Sequence, residues 1–406
     1  MMNWPACFWP LASASLLLLV LPLEGSAALR NLALLLCCSA FGLNLWRQWS
    51  LTGERPRFQL PLWPLWGLYA GIAAIGLAWA VDPAYSGKEI RLEILFAALY
   101  FWLGANLLRR ADDLRWLLAS LCSGNLLLVG YTLNVWLAGG ATKDGLIGTY
   151  HTGVGNFSTY LVTILPFLAW ALRQAWIQRQ GWRWPLLLLL AANFFAIYIT
   201  ANRQAIVAVA AELLVVLAWL APRLRQPRQW LPVLLVLAVL AGVFQQQMSK
   251  RLGNEAGSGI VAALERDGRL PIWKFAIGEA LAHPWHGGGM GRESLIRQYP
   301  EHPLTQGVFV HAHNMLVNRL VQLGVPGLLA FVALFAALAW ALWRHRRVAP
   351  LARQVAVVGL AVCAGVWVKN MTDDFFVREQ AYLFWFLAGA LLALQRQALA
   401  TTTPQS

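Results

Sequence analysis

The chain has 406 residues, 59% of them hydrophobic and 12% charged, with a formal net charge of +14. Soluble domains hold about 25% charged residues, so the composition excludes an ordinary soluble globule. The basic excess does not point to nucleic acid, because the arginines cluster in short loops between apolar runs, where they set membrane topology.

Apolar runs of roughly 17–25 residues recur along the chain, each long enough to cross about 30 Å of hydrocarbon. They predict an all-α polytopic membrane protein with about twelve transmembrane helices. The runs lie near 8–23, 28–46, 61–81, 91–108, 114–138, 157–176, 184–200, 203–221, 229–247, 313–343, 351–369 and 377–395. The first lacks a basic flank and a small-residue cleavage site, so it reads as a retained helix. The five cysteines (Cys7, Cys37, Cys38, Cys122 and Cys363) all lie in apolar segments with no CxxC spacing. They read as small core or lipid-facing residues. With the N-terminus in the cytoplasm, every cytoplasmic loop carries at least three basic residues and no short outer loop more than two. That is the positive-inside rule with one consistent sign. It predicts cytoplasmic N- and C-termini and puts the one long hydrophilic segment outside. The chain then divides into helices one to nine (1–247), a large outer loop (248–312), and helices ten to twelve with a short cytoplasmic tail (313–406).

Helix eight begins with ANRQA, which puts Arg203 at a short outer turn. A lone arginine there either snorkels to the interface or waits for an anion. Glu212, deeper in the same helix, is an intramembrane acid. Nine residues turn about 900°, so the two sit on opposite faces.

Within the outer loop, LPIWKFAIGEALAH (270–283) carries apolar residues at 273, 276, 277, 280 and 281. That spacing predicts an amphipathic helix on the membrane surface or against the bundle, with Pro271 in its first turn. Arg266 and Arg269 in LERDGR sit at its N-terminus, where backbone N–H groups favour anions. The acids Glu265 and Asp267 flank Arg266, which argues against a cation site. HPWHGGGMGR (283–292) lacks the strand and the GKS/T of a nucleotide loop, and reads as a flexible turn or a close backbone approach.

VFVHAHNMLVNRL (308–320) opens helix ten with His311, His313, Asn314 and Arg319. Arg319 lies about two turns inside the apolar run, so it should face the bundle, a cavity or an anionic partner. Glu212 is one candidate partner. His311 and His313 have no third metal ligand spaced with them. The chemistry that fits is a histidine base beside an anion neutralised by arginines. Asp373 and Asp374, in the last outer loop, are read either as orienting a histidine or arginine or as a solvated loop end.

Four pieces in this order resemble the O-antigen ligase and polymerase family of bacterial envelope proteins: ANRQA (201–205), GRLPIWKFAIGEALAHPWHGGGMG (268–291), HAHNMLVNRLVQLGVPGLLAFVAL (311–334) and NMTDDFF (370–376). The resemblance implies a glycosyltransferase C-type (GT-C) membrane fold in the bacterial inner membrane with a periplasmic site. It implies a polysaccharide donor on undecaprenyl diphosphate and, for a ligase, a sugar hydroxyl of lipid A–core as acceptor, with no cofactor. Arg203 and Arg269 match the family's arginines and His313 the histidine before Asn. The family's Ser-Arg-Gly is here Asn202-Arg203-Gln204, and Gln322 stands where many members carry glutamate.

Read as chemistry, a diphosphate leaving group needs charge neutralisation more than a general acid. Guanidiniums bind phosphate oxygens in pairs and stay ionised, which dispenses with a metal. The acceptor alcohol needs a base. The expected roles are therefore His313 as base and Arg203, Arg269 and Arg266 on the diphosphate. His311, Asn314, Arg319 and Asp374 are in support, and displacement inverts the anomeric centre. The rivals are a polymerase or an oligosaccharyltransferase using the same donor, and, in a different class, a transporter.

Overall fold

A helix occupies each of the twelve predicted runs in the computed structural model, which describes residues 8–23, 25–53, 58–108, 113–139, 153–220, 226–252, 268–306 and 309–400. In chain order they are α1 (Phe8–Val20), α2 (Ala27–Thr52), α3 (Trp63–Ile75, continued by a 3₁₀ turn Gly76–Trp79) and α4 (Pro83–Leu107). Next come α5 (Asp113–Leu137), α6 (Val154–Ile177), α7 (Arg183–Ile199), α8 (Arg203–Leu220) and α9 (Pro227–Leu252). The polar segment holds α10 (Arg269–Ala282) and the short α11 (Ser294–Gln298). The chain closes with α12 (Met315–Arg344), α13 (Pro350–Lys369) and α14 (Arg378–Ala400). Eight are long and apolar enough to cross a membrane, and among the described residues α1, α3, α7 and α9 contribute shorter apolar stretches. The chain is an all-α polytopic membrane protein.

Small residues set how closely the helices meet. The most extensive contact is between α4 and α14. A Cβ at Gly104 would run into the Phe386 carbonyl, and one at Gly389 into that of Phe101. Only glycine lets the two backbones touch, the usual device where lipid offers no hydrophobic drive. The paired faces are packed by rings: Trp385 meets Phe101 at 5.6 Å and Trp66 at 4.8 Å between centroids.

Two irregularities position the polar residues. α4 starts upstream of the predicted run, capped by Asp82, whose carboxylate accepts the Tyr85 N–H at 2.9 Å. It loosens into a π turn over Arg91–Leu95, which carries Glu93. Such turns are frequent at functional positions. α12 breaks at Gly324 (φ 66°, ψ −170°), a conformation that suits glycine, two residues before Pro326. The break frees backbone groups that the segment 284–289 satisfies. Gly288 and Gly289 donate to the Val321 and Gln322 carbonyls at 3.0 and 3.1 Å, and Val325 donates to the Pro284 carbonyl at 2.8 Å. The glycine-rich stretch is thus a strap packed across a broken helix: of the two readings, a flexible turn or a close backbone approach, it is a close approach, made to the protein's own backbone.

α10 forms where predicted, but its buried face differs. Ile272 and Ala276 are buried and pack with Val317 and Val321 of α12, whereas Ile277 and Leu281 of the predicted stripe are exposed. The helix is apolar on both sides, so periodicity alone could not choose between them.

Candidate functional site

Four chain segments meet at one end of the bundle: the start of α8, the start of α10, the residues ahead of α12, and the loop 370–377 between α13 and α14. Local capping fixes two of them. Asn314 closes the N-terminus of α12, its Oδ1 accepting from Leu316 N–H at 2.9 Å and Val317 N–H at 3.1 Å. Its Nδ2 donates to the Met371 carbonyl at 2.7 Å, tying the histidine loop to the aspartate loop. Asn202 does the same for α8: its side-chain oxygen accepts the Ala205 N–H at 3.2 Å. Asparagine is as good an N-cap as the serine it replaces, so the departure at 202 keeps Arg203 at the helix start.

The predicted residues then fall into place. His313 Nδ1 lies 3.2 Å from Asp373 Oδ1, and Arg269 Nη2 lies 3.9 Å from the same oxygen. Arg203, Arg269 and Asp373 line one pocket of about 180 Å³, together with Thr200, Asn202 and Gln204. Burial pushes the Asp373 carboxyl up. The His313 hydrogen bond and the Lys369 and Arg269 charges outweigh it and bring its pKa to about 2. An ionised Asp373 can only accept, so the hydrogen of this contact sits on His313 Nδ1 and turns Nε2 away from Asp373. The His313 side chain retains 24% of its exposure, and its backbone is in the left-handed region at φ 49°. Strain of this kind persists only where the surroundings impose it.

His311 imposes part of it. Its Nδ1 accepts the His313 N–H at 3.0 Å. Burial, then the nearby His313 and Arg292 charges, lower the His311 pKa to about 2 against the opposing pull of Asp373. His311 is therefore neutral, and it positions its neighbour. Asp374 is 1% exposed, not a solvated loop end. Its Oδ2 accepts from Asn318 Nδ2 at 2.5 Å, and Asn318 Oδ1 accepts the Ala312 N–H at 2.8 Å. That relay holds the backbone between the two histidines.

Arg319 stands elsewhere. Its Nη1 donates to Glu93 Oε2 at 2.9 Å and to Gln322 Oε1 at 2.5 Å, and the guanidinium lies over the Phe331 ring at 5.3 Å. Its partner is Glu93, not Glu212, which lies against Gly365 of α13. The Glu212 oxygens make no hydrogen bond among the described residues. Gln322 also donates from Nε2 to the Gly291 carbonyl at 2.8 Å. A glutamate could accept from Arg319 but could not hold the strap, which explains an amide here. Arg266 lies outside the described residues.

Two cations were missed from the sequence. Lys369 is wholly buried, its Nζ makes no hydrogen bond among the described residues, and its charge acts on Asp373 and Arg269. It looked like a topology signal at a helix end. Asp373 lies four residues on, beyond the helix end, so no helical spacing flags the pair. Arg292 and Lys369 both stand over the Phe375 ring, at 5.2 and 5.1 Å. Arg292 closed the glycine-rich stretch without a role.

The Asp373 carboxylate also makes a stability prediction. Its folded pKa is depressed, so its contribution, about 2 kcal/mol at 1.36 kcal/mol per unit, is complete above about pH 4 to 5 and is lost as pH falls toward 2. Unfolding of Asp373→Asn followed against pH is expected to lack that acid limb. An acid limb as steep as in the parent would contradict the ion pairing.

Residues 185–332 match the family model described as O-antigen ligase. Compared with curated proteins, the chain finds no match. The matched span holds Arg203, Arg269, His313 and Gln322, and stops short of Asp373. Over residues 185–332, about a third of the chain, the sequence is thus similar to the O-antigen ligase family.

Proposed function

We propose that the protein is a ligase of the glycosyltransferase C type. It moves a polysaccharide from undecaprenyl diphosphate to a sugar hydroxyl of lipid A–core, at the periplasmic face of the inner membrane. The observation that carries the reading is the convergence of His313, Asp373 and Arg269 beside a pocket whose wall includes Arg203.

In the reaction, the acceptor hydroxyl gives its proton to His313 Nε2 as its oxygen attacks the anomeric carbon. The bond from that carbon to the diphosphate oxygen breaks on the opposite face, so the configuration inverts. Asp373 steadies the imidazolium that forms, as a carboxylate does for any histidine base. Arg203 and Arg269 take the diphosphate oxygens, with Lys369 adding charge from behind Asp373. Cations outnumber the single lining carboxylate there, so an anion is favoured. A buried charge without a hydrogen bond is costly, and a site that attracts phosphate is the reason to keep Lys369. Preorganised charge of this kind supplies the leaving-group stabilisation and needs no metal to do so. Asn314 and the His311 and Asp374 contacts hold the base, while Arg319 braces α12 against α4.

Binding of undecaprenyl diphosphate tests the anion half. Arg269→Lys keeps the charge but loses the planar fork, and is expected to weaken binding roughly tenfold, about 1.4 kcal/mol. Affinity equal to the parent's would remove Arg269 from the donor site.

A further inference from the structure

A second pocket of about 200 Å³ lies at the far end of α10, and the proposed reaction does not use it. We infer that it binds one sugar ring of a glycan chain whose reacting end lies at His313; the inference rests on the proposed transfer.

Distance sets its role. Glu279 is ten residues along α10 from Arg269, about 15 Å at 1.5 Å per residue. The pocket therefore lies too far away to touch the reacting atoms, yet the helix that carries Arg269 walls it. Leu320 and Val321 of α12, the helix that His313 precedes, line it as well. A chain held at one end would be aligned at the other.

The lining sets the ligand class. Trp79 keeps 44% of its exposure and meets the His286 ring at 5.5 Å. His286 and His283 lie nearly parallel, 5.9 Å apart. Tyr299 is fixed edge-on by Phe275 at 5.0 Å. Gln298 is held by its hydrogen bond to the Val321 carbonyl at 3.3 Å. Glu279 supplies the one carboxylate. Broad apolar faces alternate with a few placed polar groups, the pattern of a small-molecule site. A sugar ring presents apolar C–H faces and a rim of hydroxyls, which such walls match. Glu279 opposes a phosphate. The carboxylate, carboxamide and imidazoles oppose an acyl chain, since burying them without hydrogen bonds is unfavourable. No group of three or more metal-ligating side chains forms among the described residues. The volume is below the roughly 300 Å³ of a whole-ligand pocket, so it suits one ring rather than a chain.

The ring belongs either to the donor glycan or to the acceptor core. Two lipid-free probes distinguish them: core oligosaccharide stripped of lipid A, and glycan released from its diphosphate. Purified full-length protein is titrated with each, at up to millimolar probe, by saturation-transfer NMR. One probe is expected to bind the parent and His313→Ala equally, and to bind Trp79→Ala and Glu279→Gln at least roughly tenfold more weakly. Which probe behaves so names the source. Equal binding to parent and pocket variants, or binding of neither probe, overturns the inference. Glu279→Gln preserves shape and decides the matter if Trp79→Ala does not fold. The readout involves no transfer, so failure of the proposed reaction with pocket binding intact would be seen as a separate result.

Discussion

His313→Ala, in folded protein, is expected to lower glycan transfer by roughly 10²–10⁴-fold, the usual worth of a positioned base. The loss should fall on kcat. In the proposed reaction guanidiniums on other helices hold the donor, so KM for the lipid-linked glycan should change little. The fold should tolerate the change. The His313 ring is only partly covered, and the bond that fixes its backbone comes from its N–H to His311 Nδ1, which alanine keeps. Alanine also has to adopt the φ of 49°, a modest strain. A variant with parental kcat would remove His313 from the chemistry, whatever its neighbours do.

Glu93→Ala is expected to destabilise the protein by about 3–5 kcal/mol, the cost of leaving one partner of a buried pair uncompensated. Both side chains are nearly inaccessible, at 4% for Arg319 and 3% for Glu93. Among the described residues, the direct contacts left to Arg319 would be Gln322, Met290 and the Phe331 ring. Replacing both members with apolar residues, Glu93→Leu with Arg319→Met, should recover much of the loss, since a buried pair and an apolar pair of similar volume are often equivalent. Unfolding of the two variants in nanodiscs reads both outcomes. A neutral Glu93→Ala would mean that the pair is not what locks α4 to α12.

The contrast between these residues marks what the sequence could reveal. The apolar runs were legible as helices because hydrocarbon thickness imposes a length and excludes charge, and eight of the helices meet that length. His313, Arg203 and Arg269 stand out in the sequence through the family resemblance and their places at helix mouths, and the structure sets them around Asp373 and one pocket. Their assembly was not legible, because it joins segments far apart in the chain. Glu93 sits 226 residues from Arg319, and a π turn, invisible to a period of 3.6, carries it. Glu212 was the more visible acid and proved not to be the partner. The two aspartates of TDDFF looked alike, yet the turn sends Asp373 to His313 and Arg269 and Asp374 to Asn318. Lys369 was hidden by its position, since a lysine ending an apolar helix normally marks an interface. The purpose of the glycine-rich stretch, satisfying a helix broken at Gly324, lies in another element, so its own sequence could not show what its backbone approaches.

The central claim is that this site transfers glycan to lipid A–core with His313 as base. Purified protein, undecaprenyl diphosphate-linked glycan and lipid A–core, incubated with EDTA beside His313→Ala, test it directly. The proposed reaction gives glycan on lipid A–core in the presence of EDTA, from the parent and not from the variant. Glycan that instead lengthens on undecaprenyl diphosphate would contradict it in favour of polymerisation, and no transfer from folded parent protein would contradict it altogether.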